Sequence, residues 1–403
     1  MLEPTSRTHA ELEQIFADVE APFAFVDLDA MWSNSDSMLE RAAEKPIRVA
    51  TKSLRCRPVT EAILERDERY QGLMTFTLPE TMWLTERGLE NLLLAYPTTD
   101  RECLGELALR SVASPDLAPI VTVDSVEHLD LIESVLGSQA SPIRLCLDLD
   151  ASWRGLRGRI EAGPQRSPVH SVEDAVALAE EIGRREKLKL VAVMAYEGQI
   201  AGVGDRVPGR PFRSRAIRWM KKRSRQEIAE RRAAVVARIG EIAEIEIVNG
   251  GGTGSLESTA AEEAVTEVTA GSGFFAPAQF DRYSDFSLRP AAGYALPVVR
   301  RPGSGVVTAL GGGYLASGPL DEGRMPVPWL PEGLAFDREE GAGEVQTPLV
   351  GEAADRLGIG DRVYLRHAKA GELCERFESL LLIEGDEIVD EVPTYRGEGE
   401  TFL

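Results

Sequence analysis

A lysine and two glycine-rich loops are the features of this chain whose residue types and spacing could do covalent chemistry. Lys52 lies near the end of the run Ile47-Arg-Val-Ala-Thr-Lys-Ser-Leu-Arg55. Most lysines are solvated and inert. One that ends a buried apolar strand, with the cation Arg55 close by, loses water and is pressed toward the free amine, a nucleophile for carbonyl carbon. The loops read Val248-Asn-Gly-Gly-Gly-Thr-Gly-Ser255 and Ala270-Gly-Ser-Gly273. Glycines there let backbone N–H groups face an anion with no Cβ in the way, and Thr253 and Ser255 add hydroxyl donors. An amine nucleophile and a phosphate cradle together indicate Schiff-base chemistry on a cofactor with a phosphate tail.

Those residues must be held by the elements around them. Apolar runs suited to strands are Ile47–Ala50, Gly72–Phe76, Asn91–Tyr96, Pro119–Val123, Ile143–Asp148, Leu190–Tyr196, Ile245–Val248 and Val265–Thr269. They are dense in Val, Ile and Leu and lack in/out alternation, as parallel strands buried on both faces do. Helical stretches lie between them, among them Pro79–Gly88, Ser125–Gly137, Ser171–Arg185 and Arg213–Ala243, with Gly88 and Gly137 placed for C-caps. Eight such repeats predict an α/β fold, a (β/α)8 TIM barrel. Its active site forms at the C-terminal strand ends, and its phosphate sites favour the loops after strands seven and eight, where both glycine loops fall. A doubly wound open sheet is the runner-up, but it wants a Gly-rich turn after its first strand, where this chain has Thr51-Lys52. From residue 276 the texture changes to Gly, Pro and short extended pieces (Val298–Arg301, Val306–Leu310, Arg362–Arg366, Ser379–Ile383), with a long loop expected at Gly318–Gly343. The expected domains are a helical extension 1–22, a barrel 23–275 and a C-terminal β-domain 276–403.

Composition limits the partners. The 403 residues hold 45 Lys and Arg against 66 Asp and Glu, a formal charge of −21 that disfavours nucleic acid and anionic lipid. Cys56, Cys103, Cys146 and Cys374 are scattered without a CxxC pair, which suits reduced thiols in a cytoplasm. No secretory signal pattern opens the chain, and no apolar stretch approaches a membrane span of about 20 residues.

In order along the chain stand Phe25-Val-Asp-Leu-Asp29, Val49-Ala-Thr-Lys-Ser53, Leu93-Leu-Ala-Tyr-Pro97, Ala195-Tyr-Glu-Gly198, Gly250-Gly-Gly-Thr-Gly254 and Glu267-Val-Thr-Ala-Gly271. Carrying these motifs, the chain resembles the fold-type III pyridoxal-phosphate enzymes, the alanine racemase-like barrels, and within them the D-threonine aldolase and D-serine dehydratase branch. The resemblance implies that pyridoxal 5'-phosphate is bound to Lys52 as a Schiff base, with Lys52 the acid/base at Cα. It implies that Gly251, Gly252, Thr253, Gly254, Gly271 and Ser272 hold the phosphate. Tyr196 would lie near the pyridine nitrogen and Arg154 near the phenolic oxygen, with Arg157 and Arg159 as competitors for that place. The implied activity is that of a lyase on a D-configured β-hydroxy amino acid, by aldol cleavage or by dehydration, in a homodimer.

The chain departs from the family pattern at the metal. That branch holds a divalent ion with a His-x-Asp or His-x-Cys pair, and here the stretch reads Leu365-Arg-His-Ala-Lys-Ala-Gly-Glu-Leu-Cys-Glu-Arg-Phe377. A gap-free comparison sets Lys369 where the metal-binding histidine would be. His367, Glu372 and Cys374 remain as candidate ligands for Zn²⁺ or Mn²⁺. His367 and Lys369 are also candidate catalytic groups, the ammonium of Lys369 supplying positive charge itself. Three rival readings stand beside the lyase. One is an amino-acid racemase using Tyr283, Tyr294, Tyr314 or Tyr395 of the partner as second base. The others are a non-catalytic pyridoxal-phosphate carrier and a Schiff-base sugar-phosphate aldolase.

Overall fold

The computed structural model describes residues 7–137, 141–155, 158–318, 322–369 and 371–403. Eight parallel strands close into a barrel: β1 Ile47–Ala50, β2 Tyr70–Thr75, β3 Leu92–Leu94, β4 Ile120–Val123, β5 Ile143–Asp148, β6 Leu188–Ala195, β7 Ile247–Gly250 and β8 Glu267–Ala270. Leu93, Ile120, Cys146, Ala192 and Met194 cluster as the barrel interior. The alternate positions, Leu94, Val121, Leu145 and Val193, face outward and pack with Leu129, Ile132, Leu178, Ile182 and Val235 of the surrounding helices. Both faces of each strand are therefore apolar, which is why the sequence shows no alternation.

The helices start where short polar side chains can take orphan N–H groups. Ser171 and Asp174 form a capping box ahead of Val172–Gly183, and Thr77 and Ser125 cap Leu78–Glu86 and Val126–Val135. Gly88 follows a helix end at φ +82°, as expected. Gly137 has no such part, because its helix stops at Val135 and Leu136 is extended. The seventh strand begins later than its apolar run, and Asn249 and Gly250 belong to it. Asn249 is drawn in by hydrogen bonds from Nδ2 to Glu267 Oε1 (2.7 Å) and Thr269 Oγ1 (2.8 Å).

The other compact unit is β-rich, and the two units interleave along the sequence. Met1–Ser37, Lys52–Glu61 and Ser272–Thr401 form the β-rich one; Met38–Thr51, Ala62–Gly271 and Phe402–Leu403 form the barrel unit. This differs from boundaries at 22 and 275. Phe23–Asp27 is a sheet strand, not part of the barrel, pairing antiparallel with Ala292–Gly303 and parallel with Ser379–Glu384. Its apolar side chains supply the reason: Phe23 and Phe25 join Leu12, Phe16, Ala295, Tyr364 and Ile383 in one buried cluster. The sheet runs Ala335–Phe336, Gln346–Val350, Val306–Leu310, Ala292–Gly303, Phe23–Asp27, Ser379–Glu384, Glu387–Pro393, with Arg362–Arg366 pairing both Ala292–Gly303 and Val327–Leu330. The expected loop 318–343 thus contains two strands, Val327–Leu330 and Ala335–Phe336. The N-terminal extension is a helix, His9–Ile15, opened by a Thr8/Glu11 capping box. Residues 1–6 of that extension, 319–321 of the loop and Arg157 lie outside the described residues. Among the described residues no helix is long and apolar enough to cross a membrane.

Candidate active site

Strand order decides which loops share a sector of the rim. β8 pairs with β7 on one side and with β1 on the other. All eight strands are parallel, so Gly251–Gly254, Gly271–Ser272 and the 3₁₀ turn Thr51–Ser53 that carries Lys52 leave the barrel from three consecutive strands, at the same end. The loop after β7 is built on a buried acid. Glu197 accepts hydrogen bonds from the Gly251 N–H (3.2 Å), Ser255 Oγ (2.9 Å), Thr259 Oγ1 and Arg232 Nη2 (3.0 Å). Arg232, fully buried, also pairs with Glu262 and donates to the Ala195 carbonyl. Burial raises the Glu262 carboxyl above its ordinary value, with Arg232 opposing the rise.

These groups pass a test for a phosphate monoester. Gly251 sits at φ +87°, open to glycine and costly for other residues. A Cβ at Gly252 would stand 2.9 Å from Ala201 Cβ and 3.2 Å from the Tyr196 ring, so the loop lies directly on Tyr196. Gly254 N–H has no acceptor among the described residues. A left-handed glycine, a bare backbone donor and a ring stacked on the loop make a donor set that suits a phosphorylated aromatic cofactor. Three of the expected donors are engaged within the chain: the Ser255 hydroxyl and the Gly251 N–H on Glu197, and the Gly252 N–H on Ser255 Oγ (3.2 Å).

In the β-rich unit, Lys52 is held by its own turn and by the segment that follows strand Arg362–Arg366. Arg55, at φ +48°, donates from Nε to the Lys52 carbonyl (3.2 Å) and forms an ion pair with Glu375. Gly371, at φ +93°, passes so close that a Cβ there would meet the Lys52 carbonyl oxygen at 2.5 Å. Lys369 is half-buried, with Nζ 3.5 Å from Ser317 Oγ, and Glu372 Oε1 accepts from the Ser317 N–H at 3.0 Å. His367 is 2% exposed, and neither ring nitrogen has a hydrogen-bond partner. Burial, aided by Arg366, pushes its pKa down to about 3, so the imidazole is neutral across the physiological range.

Among the described residues no group of three His, Cys, Asp or Glu side chains is placed to hold a metal ion, so His367, Glu372 and Cys374 are not gathered into a three-ligand site. Arg154 lies on a hairpin strand, Trp153–Gly155, with its side chain 45% exposed and 3.5 Å from Asp150. Of the four tyrosines, Tyr283, Tyr294 and Tyr395 are buried within their own chain and only Tyr314 keeps an accessible edge.

No protein-family model matches the chain, and no curated protein does. Solved structures do. D-threonine aldolase from Filomicrobium marinum matches at TM-score 0.78 and 20% identity, over 98% of this chain and 99% of that one. D-threo-3-hydroxyaspartate dehydratase from Delftia sp. HT23 matches at 0.72 and 20% identity, over 94% and 98%. Alanine racemase from Bacillus anthracis matches at 0.58 and 14%, over 94% and 99%. The fold is alanine racemase-like. At that level the sequence resemblance is borne out.

Within the alanine racemase-like barrel, two polar groups escaped the sequence reading. The Glu197–Arg232–Glu262 triad was hidden because its arginine lies in a long helix with nine other cations. The second is an acidic set at the ends of β4 and β5. Asp124 and Asp148 continue the inward positions of Ile120 and Cys146, and Asp150 follows. Loss of water, then the charges of Asp124 and Asp150, push the Asp148 carboxyl up to about 7, with Arg166 opposing. Strand parity from Cys146 was the signal that could have found it.

Proposed function

We propose that this protein is a pyridoxal-phosphate-dependent lyase acting on a D-configured β-hydroxy amino acid, by Cα–Cβ cleavage or by loss of the β-hydroxyl. The observation that carries the reading is the placement of Lys52 and both glycine loops after three consecutive strands of an alanine racemase-like barrel. The two lyases of similar fold named above support the choice of reaction class. When bound, pyridoxal phosphate supplies an aldehyde that condenses with amines and a ring that draws electrons from Cα.

The chain's own residues then divide the work. Lys52 holds the cofactor and moves a proton at Cα. Gly251, Gly252, Thr253, Gly254, Gly271 and Ser272 would hold the phosphate, and Tyr196 would lie near the pyridine nitrogen. In cleavage, a base takes the β-hydroxyl proton as the Cα–Cβ bond breaks, the aldehyde leaves, and Lys52 returns a proton to Cα. Asp148, titrating near neutrality at the barrel mouth, suits that base. In elimination, Lys52 takes the Cα proton and hydroxide departs from Cβ, with the Lys369 ammonium offsetting its charge. His367 is neutral and acts only as a hydrogen-bonding group. Racemisation is less well served, because three of the four tyrosines considered for a second base are buried in their own chain. A homodimer in the cytoplasm completes the proposal, consistent with four free cysteines.

The test is a panel of D- and L-β-hydroxy amino acids, with and without Mn²⁺, read for glycine, aldehyde, keto acid and ammonia. Borohydride should fix the cofactor on the Lys52 peptide, and Lys52→Ala should lose both that adduct and at least ~10²-fold in turnover. Racemisation with solvent deuterium at Cα and no carbonyl product would replace the lyase with a racemase. A Lys52 adduct to a sugar phosphate, without pyridoxal phosphate, would sink the cofactor as well.

A further inference from the structure

The longest helix is mismatched to the strand that precedes it. Pro211–Ile239 runs about 43 Å at helical rise, while β6 runs about 26 Å. Its buried apolar residues, Ile228, Val235 and Ile239, all lie in the C-terminal half and pack in the outer layer of the barrel. The N-terminal turns rest elsewhere, with Trp219 edge-on to Trp153 at 5.6 Å.

That N-terminal half carries a charge opposite to the rest of the chain. Residues 205–226 contain nine Lys and Arg against one acid, Asp205, within a chain of net charge −21. Arg206, Arg210, Arg213, Arg215, Lys222 and Arg223 are exposed, and none pairs with a carboxylate among the described residues. Arg218 reaches Asp205, at 3.9 Å. Cations at i,i+3 and i,i+4, such as Arg215/Arg218 and Arg218/Lys222, repel and weaken a helix. Phe212 and Trp219, seven residues apart and so on one face, are 85% and 46% exposed. Unpaired cations around exposed aromatics describe a docking face for an acidic surface better than a solubilising one.

A matching acidic surface exists on the same chain, in the β-rich unit. The hairpin Ser379–Glu384/Glu387–Pro393 closes one edge of the large sheet. Among the described residues Glu384, Glu387 and Asp390 are exposed without a cationic partner and Asp386 has Arg7 at 3.5 Å, and Val389 adds an exposed apolar side chain. Seven residues of strand and sixteen of helix each span about 24 Å.

We propose that a second copy of this chain is the partner: the basic half-helix of one protomer docks on the acidic edge hairpin of the other, and the same contact repeats across a two-fold axis. A contact of that kind is self-complementary and closes at two subunits. The inference rests on the homodimer reading above and names its interface.

Sedimentation of the full-length protein across concentration, at low and high salt, tests it. The wild-type dimer should weaken as salt rises, since exposed charges are screened beyond about 10 Å at 0.1 M. R213E/R215E/K222E should raise the dimer Kd by ~10-fold or more, and so should E384K/E387K/D390K. Combining the two sets should bring Kd back to within ~3-fold of wild type, a coupling that only direct contact produces. Thermal melts check that each variant is folded, and the salt dependence of the wild type stands without them. A dimer indifferent to salt and to both triples overturns the interface and leaves the dimer reading intact. A monomer at all concentrations overturns both. Binding of the wild type to phosphatidylserine vesicles with the dimer unaffected by R213E/R215E/K222E would give the basic face to lipid instead.

Discussion

The lower interior and the mouth of the same barrel handle buried charge in opposite ways. In the lower interior Arg48, fully buried, forks onto Glu267 through Nε (2.6 Å) and Nη2 (2.9 Å), and donates to the Asn91 carbonyl (2.6 Å) and side chain (3.0 Å). Asn249 then bonds Glu267 and Thr269 in turn. To let Asn91 come this close, Gly72 has to be bare: a Cβ there would fall 2.3 Å from the Asn91 carbonyl oxygen. At the mouth, Asp124, Asp148 and Asp150 set three carboxyls together: His128 lies 3.0 Å from Asp124, Ser152 donates to Asp150 Oδ1 from its N–H (3.0 Å) and its hydroxyl (2.6 Å), and Arg154 reaches Asp150 Oδ2 only at 3.5 Å. A saturated network specifies one packing, whereas an unsaturated one leaves a group ready to change its proton. The barrel is locked below and left reactive above.

Breaking the lock should have the largest effect. Arg48→Ala strands Glu267 in the interior without its cation, and removal of one partner of a buried pair typically costs about 3–5 kcal/mol. Chemical unfolding should report that loss. If the midpoint barely moves, the lower network is not what closes the barrel, and the contrast between its two ends loses its basis.

The second effect is pH-dependent. Asp148 has its folded pKa raised to about 7 from an ordinary 3.8, so its contribution is intact below about pH 4 and is lost as pH rises through 7. The penalty at alkaline pH is on the order of 2–4 kcal/mol before screening is counted. His367 slopes the other way, since its lowered pKa withdraws stability as pH falls below 6.5. The two slopes oppose each other between about pH 4 and 6.5, so Asp148→Asn should remove the decline that runs from about pH 4 to 7 and leave the fall toward acid, which belongs to His367, steeper. In the lyase reading the same substitution removes the base for the β-hydroxyl and its acid limb in the kcat/KM profile.

Why the two ends were unequally legible in the sequence follows from the same physics. The strands were readable because burial on both faces makes short Val/Ile/Leu runs, and the glycine loops because anion chemistry excludes side chains. The place of Lys52 just after a strand end was readable, but its side chain is exposed, not stripped of water as the apolar strand before it suggested. Pairings across the chain were not: Arg48 and Glu267 are 219 residues apart, and nothing local in either says that the other is opposite. Phe23–Asp27 looked like the start of the barrel because its apolar density is the same as a barrel strand's, and only its partners, Ala292–Gly303 and Ser379–Glu384, assign it elsewhere. Asp148 closed an apolar run, and its company depended on which strands the barrel sets side by side.

Between the extremes lies the Glu197 cluster, saturated like the lower network but set under the phosphate loop. Glu197→Gln keeps the shape, weakens the Arg232 pair and gives the hydroxyls of Ser255 and Thr259 a poorer acceptor. A net loss of about 1–2 kcal/mol is expected for hydrogen bonds to a charged group. If that strain is felt by the loop, the affinity for pyridoxal phosphate, followed by fluorescence titration, should fall ~10-fold. Unchanged affinity with lowered stability would confine Glu197 to a structural part.

The smallest effect is expected at Arg154, and it sharpens the comparison most finely. Its side chain is 45% exposed and its ion pair with Asp150 is long, so Arg154→Ala should change stability by less than about 1 kcal/mol. The family resemblance instead gives this arginine the cofactor's phenolic oxygen, where its loss would alter the absorbance of the bound cofactor. Asp150 is one of the two carboxyls that raise Asp148, and among the described residues Arg154 is the cation paired with its carboxylate. Removing Arg154 leaves the charge of Asp150 less balanced, so the Asp148 titration should move further upward with no change in cofactor spectrum. An altered spectrum with Asp148 unmoved would assign Arg154 to the cofactor and take it out of the acidic set.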